Sequence, residues 1–388
     1  MRLYTPHIIQ TMPQQHYDYT RGDAMATPVV PIAPERFDIA RYEAYAAECD
    51  QQFAEFLQQD EGVAVVHRTR AAQVFRDGCR DMSLSLRLQL GALEKSMEYA
   101  TDAPNYLEPW YGVGTFAAAF GAEYDWPEEQ APAVKHPYNA FEEFPGDVAA
   151  QFEDIPIMQQ ILTMIEYFLE ETQGRLPMSW SDLQAPINVA GGGILDTSRF
   201  LMGLHEEPEN VRDMLNAAAD VAIRFTQRQS DVIGKALVKP GHGFASSFCG
   251  KGIGLSEDNL IMISPRMYKQ FCVQYNTKIG EHFDGTVIHS CGNWGKWIEA
   301  VKTIPNLERV DGAFSPQTDP AYNTCEVFRD ALLNTGITLQ VRIIGDVEEI
   351  IRRVKRLWRP GIKLIVITAL QNPRAQQKLY NDIHQLCS

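Results

Sequence analysis

His289 and Cys291 follow a short apolar run and lie two positions apart. Both carry side chains that bind zinc in many enzymes. The run at 286–288, Thr-Val-Ile, predicts the end of a buried β-strand. Side chains two apart on a strand point the same way, so the imidazole and the thiolate can converge. Gly292 allows a tight turn directly after them. The pattern predicts a metal site at an active-site mouth; the alternative is a core histidine beside a small buried thiol.

A second group lies near residue 110, where three aromatic residues, Tyr106, Trp110 and Tyr111, surround Glu108. This composition is typical of a pocket wall with one polar anchor, although a loop of structural aromatics would look the same. We predict that the three rings contact substrate. Glu108 is a candidate acid or base because a carboxyl group in a pocket can exchange protons.

The loop 246–254 places glycines around a lysine, but its spacing differs from that of a phosphate-binding loop. We therefore expect it to contribute to the same mouth, with Cys249 as a candidate third zinc ligand. Asn293 and Asp311 are further candidates for substrate contacts. No nucleophilic Ser/His/Asp set and no GxSxG motif can be assembled.

Short apolar runs that alternate with helical patterns must position these residues. Strands are predicted at 186–190, 286–288, 339–344 and 363–368, and helices at 207–234, 265–283, 294–304 and 346–358. This alternation predicts an α/β fold with parallel strands and helical crossovers, either an open sheet or a barrel. We expect residues 1–99 to form an irregular arm and a helical extension, and residues 100–388 to form the α/β unit.

Composition excludes some classes of function. The chain has 388 residues, 45% of them hydrophobic, and a formal net charge of −15. So acidic a surface argues against nucleic acid as a partner. No apolar run is long enough for a membrane span, and the N-terminus has no signal core. Seven scattered cysteines predict a cytoplasmic protein with reduced thiols.

The second half of the chain resembles the uroporphyrinogen decarboxylase superfamily. The likeness covers roughly residues 100–370 and includes the Ser-Pro-Arg-Met-Tyr segment 264–268, Tyr275–Asn276 and the His-Ser-Cys-Gly segment 289–292. The resemblance implies a single (β/α)8 barrel. The superfamily also contains zinc-dependent methyltransferases, which move methyl groups between corrinoid proteins and thiols.

The resemblance is closer to the methyltransferases than to the true decarboxylases. Those decarboxylases have an arginine-rich, RQAGR-type segment that binds substrate carboxylates, and this chain has none. The methyltransferases have the His-x-Cys pair, which His289 and Cys291 match, and a later cysteine near the last strand. That later position falls at 366–373, where no cysteine occurs. The third ligand would then be Cys249 or Cys325, or the site is altered or metal-free.

Three hypotheses follow. The first is methyl transfer between a corrinoid partner protein and a thiol or other small acceptor, with zinc on His289, Cys291 and Cys249. The second is a decarboxylase acting on a small or tetrapyrrole-like substrate, with Glu108 or Asp311 as acid or base and His289 as proton donor. The third is a non-catalytic ligand-binding barrel. All three leave room for a homodimer.

Overall fold

A sheet of six parallel strands forms the centre of the computed structural model, which describes residues 26–146 and 152–388. The strands are β1 Gly62–His67, β2 Glu123–Asp125, β3 Ala133–Lys135, β4 Ile253–Ser256, β5 Thr286–His289, β6 Leu307–Ala313, β7 Thr338–Arg342 and β8 Lys363–Thr368. The spatial order of the six-stranded sheet is β1-β8-β7-β6-β5-β4, and β2 and β3 form a separate antiparallel pair.

Backbone between β1 and β4 continues around the same centre without forming full strands. Single parallel bridges join Leu107 to Met178 and Met178 to Leu237, and Ser256 of β4 bridges to Gln184. The sheet therefore curves round a buried interior, and the architecture is that of an α/β barrel. Parallel strands put all their carboxyl ends at one face, where barrel enzymes have their active sites.

Helices surround the sheet. Within the described residues they are α1 Ile39–Leu57, α2 Met82–Ser96, α3 Pro156–Glu171, α4 Pro186–Ala190, α5 Thr197–Glu206, α6 Pro208–Ile233, α7 Pro265–Phe271, α8 Val273–His282, α9 Ile298–Val301, α10 Cys325–Leu332, α11 Val347–Leu357 and α12 Pro373–Leu386. Side chains at the first turns explain several starting points. Ser264 caps α7 and Asp346 caps α11 by accepting a hydrogen bond from a backbone N–H.

One of the predicted strands is wrong. The run Pro186–Ala190 forms the short helix α4, in which Pro186 occupies the first turn. Proline suits that position because the first turn of a helix needs no N–H donor. A five-residue apolar run has no periodicity that separates a buried strand from a buried helix. The runs predicted at 286–288, 339–344 and 363–368 do form β5, β7 and β8.

The N-terminal region combines helices with one strand of the barrel. Helices α1 and α2 both lie within the range 1–99, where the sequence predicted a helical extension. Between them, β1 pairs along its length with β8, from Gly62 beside Lys363 to His67 beside Thr368. The barrel therefore draws a strand from the range 1–99 assigned to the extension. No helix in the described ranges is long and apolar enough to cross a membrane.

Candidate active site at the carboxyl ends of the strands

Three side chains with different donor atoms meet where β4 and β5 end. His289 is the last residue of β5, Cys291 follows two residues later, and Asp258 follows two residues after β4. His289 Nε2 lies 3.4 Å from Cys291 Sγ and 3.7 Å from Asp258 Oδ1. The ligand atoms of all three lie within 4.8 Å of one another. Asp258 also accepts a hydrogen bond from the Cys291 backbone N–H at 2.7 Å, which ties the two loops together.

This donor set fits zinc. Imidazole nitrogen, thiolate sulfur and carboxylate oxygen are the usual zinc ligands, at roughly 2.0–2.3 Å from the metal. In a tetrahedron with such bond lengths, neighbouring ligand atoms are about 3.4–3.6 Å apart. The two separations measured from His289 Nε2 are close to those edges. A small adjustment of the Asp258 and Cys291 side chains would complete the geometry.

Asp311 of β6 contacts the His289 imidazole at the nitrogen that faces away from Asp258 and Cys291. Asp311 Oδ2 lies 2.6 Å from His289 Nδ1, which leaves Nε2 facing Asp258 and Cys291. A carboxylate on the far nitrogen is the usual outer partner of a zinc-bound histidine. Burial and the charge of Arg342 lower the pKa of His289, but hydrogen bonds to Asp311 and Cys291 outweigh them and raise it to about 9.

Asp311 is itself fixed by two residues of β7. Gln340 Nε2 donates to its Oδ1 at 2.7 Å, and Arg342 Nε lies 3.3 Å from its Oδ2. Burial alone would raise the pKa of Asp311. The charge of Arg342 and the bond to His289 hold that pKa below its usual range, so the carboxylate stays ionised. Asp311 therefore orients His289, where the sequence had suggested that it contacts substrate.

Residues of the Ser-Pro-Arg-Met-Tyr segment and of Tyr275–Asn276 donate hydrogen bonds to a buried carboxyl group next to Asp258, His289 and Cys291. Glu257 precedes Asp258 and is fully buried. The Tyr268 hydroxyl donates to it at 2.7 Å and Asn276 Nδ2 donates at 2.8 Å. Burial raises the pKa of Glu257 to about 7. The Glu257 backbone N–H donates to the His289 carbonyl at 2.8 Å, so these bonds fix the loop that carries Asp258.

We expect Tyr268→Phe to lower the free energy of unfolding by about 1–3 kcal/mol, because a buried carboxyl group loses one of its two donors. Tyr275→Phe is a matched control, since its hydroxyl donates to the Arg212 carbonyl in a half-buried setting. That variant should lose about 0.5–1.5 kcal/mol. Urea unfolding of the two variants measures both values; an equal loss in both would contradict this role of Tyr268.

A cavity of about 160 Å³ opens beside His289 at the same face. The described residues that line it are Arg68, Arg70, Asp182, His242, Gly243, Phe244, Ser256, His289, Asp311 and Arg342. Its walls are rich in cations for a chain of net charge −15. Arg70 lies 3.9 Å over the Phe75 ring, and its Nε makes no hydrogen bond within the described residues. This side chain is available to a bound anion.

Glu108 lies behind the cavity in a buried ion pair. Its Oε1 is 3.4 Å from Arg68 Nη2 and 3.3 Å from His242 Nδ1, and it accepts a bond from the Gly243 N–H. Burial would raise the pKa of Glu108, but the charges of Arg68 and His242 hold it far below its usual range. A carboxyl group that stays ionised cannot donate a proton. The arrangement therefore disfavours the acid role considered for Glu108.

The predicted aromatic contacts do not line this cavity. Tyr106 donates to the Gly241 and Phe244 carbonyls, both at 2.7 Å, and so closes the barrel wall. Trp110 and Tyr111 are buried, and Trp110 packs edge-on against Phe75. Asn293 is exposed, and its side chain accepts a bond from the nearby Gly295 N–H. Of the residues proposed to contact substrate, only Asp311 lies on the cavity wall.

Cys249 does not join His289 and Cys291. It lies on a different cavity, which is also lined by Thr338 and Lys363, the first residues of β7 and β8. Those residues mark the amino ends of the strands, whereas His289 is the last residue of β5. Asp258 is instead the third side chain with a possible ligand atom near His289 and Cys291. Cys325, the other candidate, is buried at the start of α10 and is not in this group.

Comparison with known proteins identifies a family model and a solved structure that are similar to this chain. The family model Uroporphyrinogen decarboxylase (URO-D) matches residues 61–239. Over this range the chain is similar to the uroporphyrinogen decarboxylase family. Among solved structures, a methyltransferase from Methanosarcina mazei matches with a TM-score of 0.61 and 17% sequence identity, over 87% of this chain and 98% of that chain. This confirms the predicted single (β/α)8 barrel. No curated protein sequence matches the chain.

The match to the family model overlaps the predicted likeness in part, over residues 100–239. It begins at residue 61, just before β1, and ends before His289 and Cys291. It includes Arg68 and Glu108, the buried pair beside the cavity. Asp258, His289 and Cys291 lie outside the matched range. Their geometry alone therefore indicates a possible zinc site.

Sequence reasoning missed the cationic wall and Asp258, although signals for some of these residues were present. Gln340 and Arg342 alternate with apolar residues on β7, so both point to one face, and Arg342 is at the carboxyl end. Asp258 follows a short apolar run, but that run contains Gly254 and only four residues. Arg68 and Arg70 directly follow β1, a strand that was not predicted.

Proposed function

We propose that this protein is a methyltransferase that moves a methyl group from a corrinoid on a partner protein to a thiol or another small acceptor. The observation that carries the proposal is the convergence of Asp258, His289 and Cys291 at the strand ends, where the two separations from His289 Nε2 are close to those of a tetrahedral zinc site. The Methanosarcina methyltransferase with the same fold supports the reaction class.

The chain's own residues would prepare the site. Zinc held by Asp258, His289 and Cys291 would bind a thiol at its open position and lower the thiol pKa. Asp311 keeps His289 Nε2 turned toward the other two ligands. The adjacent cavity, with Arg70 and Arg342 in its wall, would hold the remainder of the acceptor beside the reacting sulfur.

A direct test uses the purified full chain. We expect about one zinc per chain by elemental analysis and, with free methylcobalamin and simple alkyl thiols, a thiol-dependent loss of the methyl–cobalt absorption band. Methyl transfer that persists at full rate after zinc is removed by a chelator would contradict the zinc site. Bound zinc without any thiol methylation would contradict methyl transfer to thiols.

A second candidate, decarboxylation of a small acid, is favoured by one observation: the cavity wall contains Arg68, Arg70, Arg342 and His242. Such a wall suits a carboxylate. A volume of about 160 Å³ suits a small substrate better than a tetrapyrrole. This reaction would release carbon dioxide without a corrinoid, so gas evolution in the absence of cobalamin separates it from methyl transfer. Ligand binding with neither reaction would indicate a non-catalytic barrel.

A further inference from the structure

At the opposite end of the barrel lies a second cavity of about 430 Å³. Its lining includes Thr338 and Lys363, the first residues of β7 and β8, so it opens at the amino ends of the strands. Its volume is within the range of small-molecule sites. None of the groups at the carboxyl-end site lines it, and what it binds is independent of the proposed methyl transfer.

Three cations and one anion line this cavity: Lys251, Arg309, Lys363 and Glu308. Their formal charges sum to +2 in a chain whose net charge is −15. Within residues 26–146 and 152–388, none of the four makes an ion pair. Lys363 Nζ donates to the Leu57 carbonyl at 2.7 Å, and Lys251 is exposed. Glu308 offsets only part of this charge, so the described lining of the cavity carries an excess of positive charge.

Arg309 is the most unusual of these residues because it is 5% exposed and yet has no carboxylate partner in the described ranges. Only its Nη1 makes hydrogen bonds, to the Ala245 carbonyl at 2.7 Å and to Gln340 Oε1 at 3.3 Å. Its Nε and Nη2 groups make none with the described residues. A buried guanidinium normally satisfies its donors, so these two groups are free for a ligand in the cavity.

The pKa values show the electrostatic cost of this arrangement. Burial lowers the pKa of Arg309 to about 10. Burial, together with the charges of Arg309 and Lys251, lowers the pKa of Lys363. Cations held close together repel one another, and a bound anion would relieve that repulsion.

We propose that this cavity is a binding site for a small oxyanion of charge −2, a phosphate or the phosphate group of a small monoester. Arg309 Nε and Nη2 would bind it through a two-pronged contact, which guanidinium groups make with phosphate oxygens. Lys251 and Lys363 would supply the second and third positive charges. Apolar neighbours such as Leu57 and Val287 leave room for a small organic group.

Calorimetric titration of the full chain with inorganic phosphate tests the site, at constant ionic strength with chloride as the matched salt. We expect saturable binding of one phosphate per chain and a rise in melting temperature that chloride does not produce. Phosphate that only displaces zinc or competes with a thiol at the carboxyl-end site would overturn the proposal. No saturable binding of phosphate or of a simple phosphomonoester would also overturn it.

Lys251→Gln is the variant of choice because the residue is exposed, so we expect its replacement to leave the fold intact. We expect it to weaken phosphate binding by at least about tenfold, since it removes one charge-assisted contact. Arg309→Lys keeps the positive charge but loses the two-pronged guanidinium contact, so it should weaken phosphate binding further. Lys269→Gln, an exposed lysine outside the cavity, is the control and should bind like the unsubstituted protein. Equal binding by Lys251→Gln and Lys269→Gln would contradict the site.

Discussion

Replacing Cys291 with serine is expected to strip the protein of zinc and to lower thiol methylation by more than about 100-fold. Loss of an outer partner of a zinc ligand costs roughly 10–100-fold in metal affinity or activity, and loss of the ligand itself should cost more. Serine is a poor substitute because its hydroxyl stays protonated, whereas zinc is bound by a thiolate. Elemental analysis and loss of the methyl–cobalt band measure the two effects.

Asp311→Asn supplies a graded comparison. It leaves the three ligands in place but replaces the carboxylate on His289 Nδ1 with a neutral amide. We expect zinc affinity to fall by about 10–100-fold, which is less than for Cys291→Ser. Raising the zinc concentration should restore occupancy in Asp311→Asn but not in Cys291→Ser. Equal losses that zinc cannot restore in either variant would contradict an outer role for Asp311.

Cys249→Ser is the matched control, because it makes the same change at a cysteine on the other end of the barrel. Its zinc content should equal that of the unsubstituted protein, whereas Asp258→Ala should lose zinc. The reverse outcome, with zinc lost from Cys249→Ser and kept in Asp258→Ala, would restore the ligand set predicted from the sequence.

The distance of Cys249 from His289 and Cys291 has a simple geometric origin. Cys249 precedes β4 in the chain and Asp258 follows it. A strand of four residues separates its two ends by about 13 Å, so residues on either side of it reach opposite faces of the barrel. The apolar run at 253–256 was too short and too rich in glycine to be recognised as a strand. Without that strand, the sequence could not show which side chain reaches His289.

The first strand was missed for a related reason. Segment 62–67 lies between two helical regions, and its partner β8 begins only at Lys363. Local sequence shows an apolar run but not the distant strand that pairs with it. The pair His289 and Cys291 was recognisable because an imidazole and a thiol with period-two spacing directly follow an apolar run. Contacts such as Asp311 to His289 depend on register between β5 and β6, which sequence alone did not supply.

The largest effect on stability is expected at the buried pair Arg68–Glu108. Both side chains are 5% exposed, and Glu108 also contacts His242 and the Gly243 N–H. Glu108→Gln leaves the Arg68 charge buried with neutral acceptors alone, among them the Phe244 carbonyl. Breaking a buried pair from one side costs about 3–5 kcal/mol, so we expect a loss of that size in the free energy of unfolding at pH 7.

The double variant Arg68→Met with Glu108→Gln shows whether the loss of stability in Glu108→Gln comes from the unpaired, buried charge of Arg68 or from a general loss of packing. The glutamine carbonyl still accepts from the Gly243 N–H, and no unpaired cation remains. We expect it to recover most of the lost stability, because replacing both members of a buried pair is often nearly neutral. Asp382→Asn, which breaks the exposed pair with Lys378, should cost under about 1 kcal/mol. A double variant as unstable as Glu108→Gln would contradict the unpaired charge of Arg68 as the cause.

The pH dependence provides an independent check on the same pair. The pKa of Glu108 is lower in the folded protein than the ordinary value of 4.5. Its ionised form therefore stabilises the fold fully above pH 4.5, and this contribution is lost as the pH falls toward the folded-state pKa. The stability difference between the unsubstituted protein and Glu108→Gln should be constant from pH 7 to about 5 and should shrink below pH 4.5. Urea unfolding across this range measures it, and a difference that grows on acidification would show that Glu108 is not the ionised partner of Arg68.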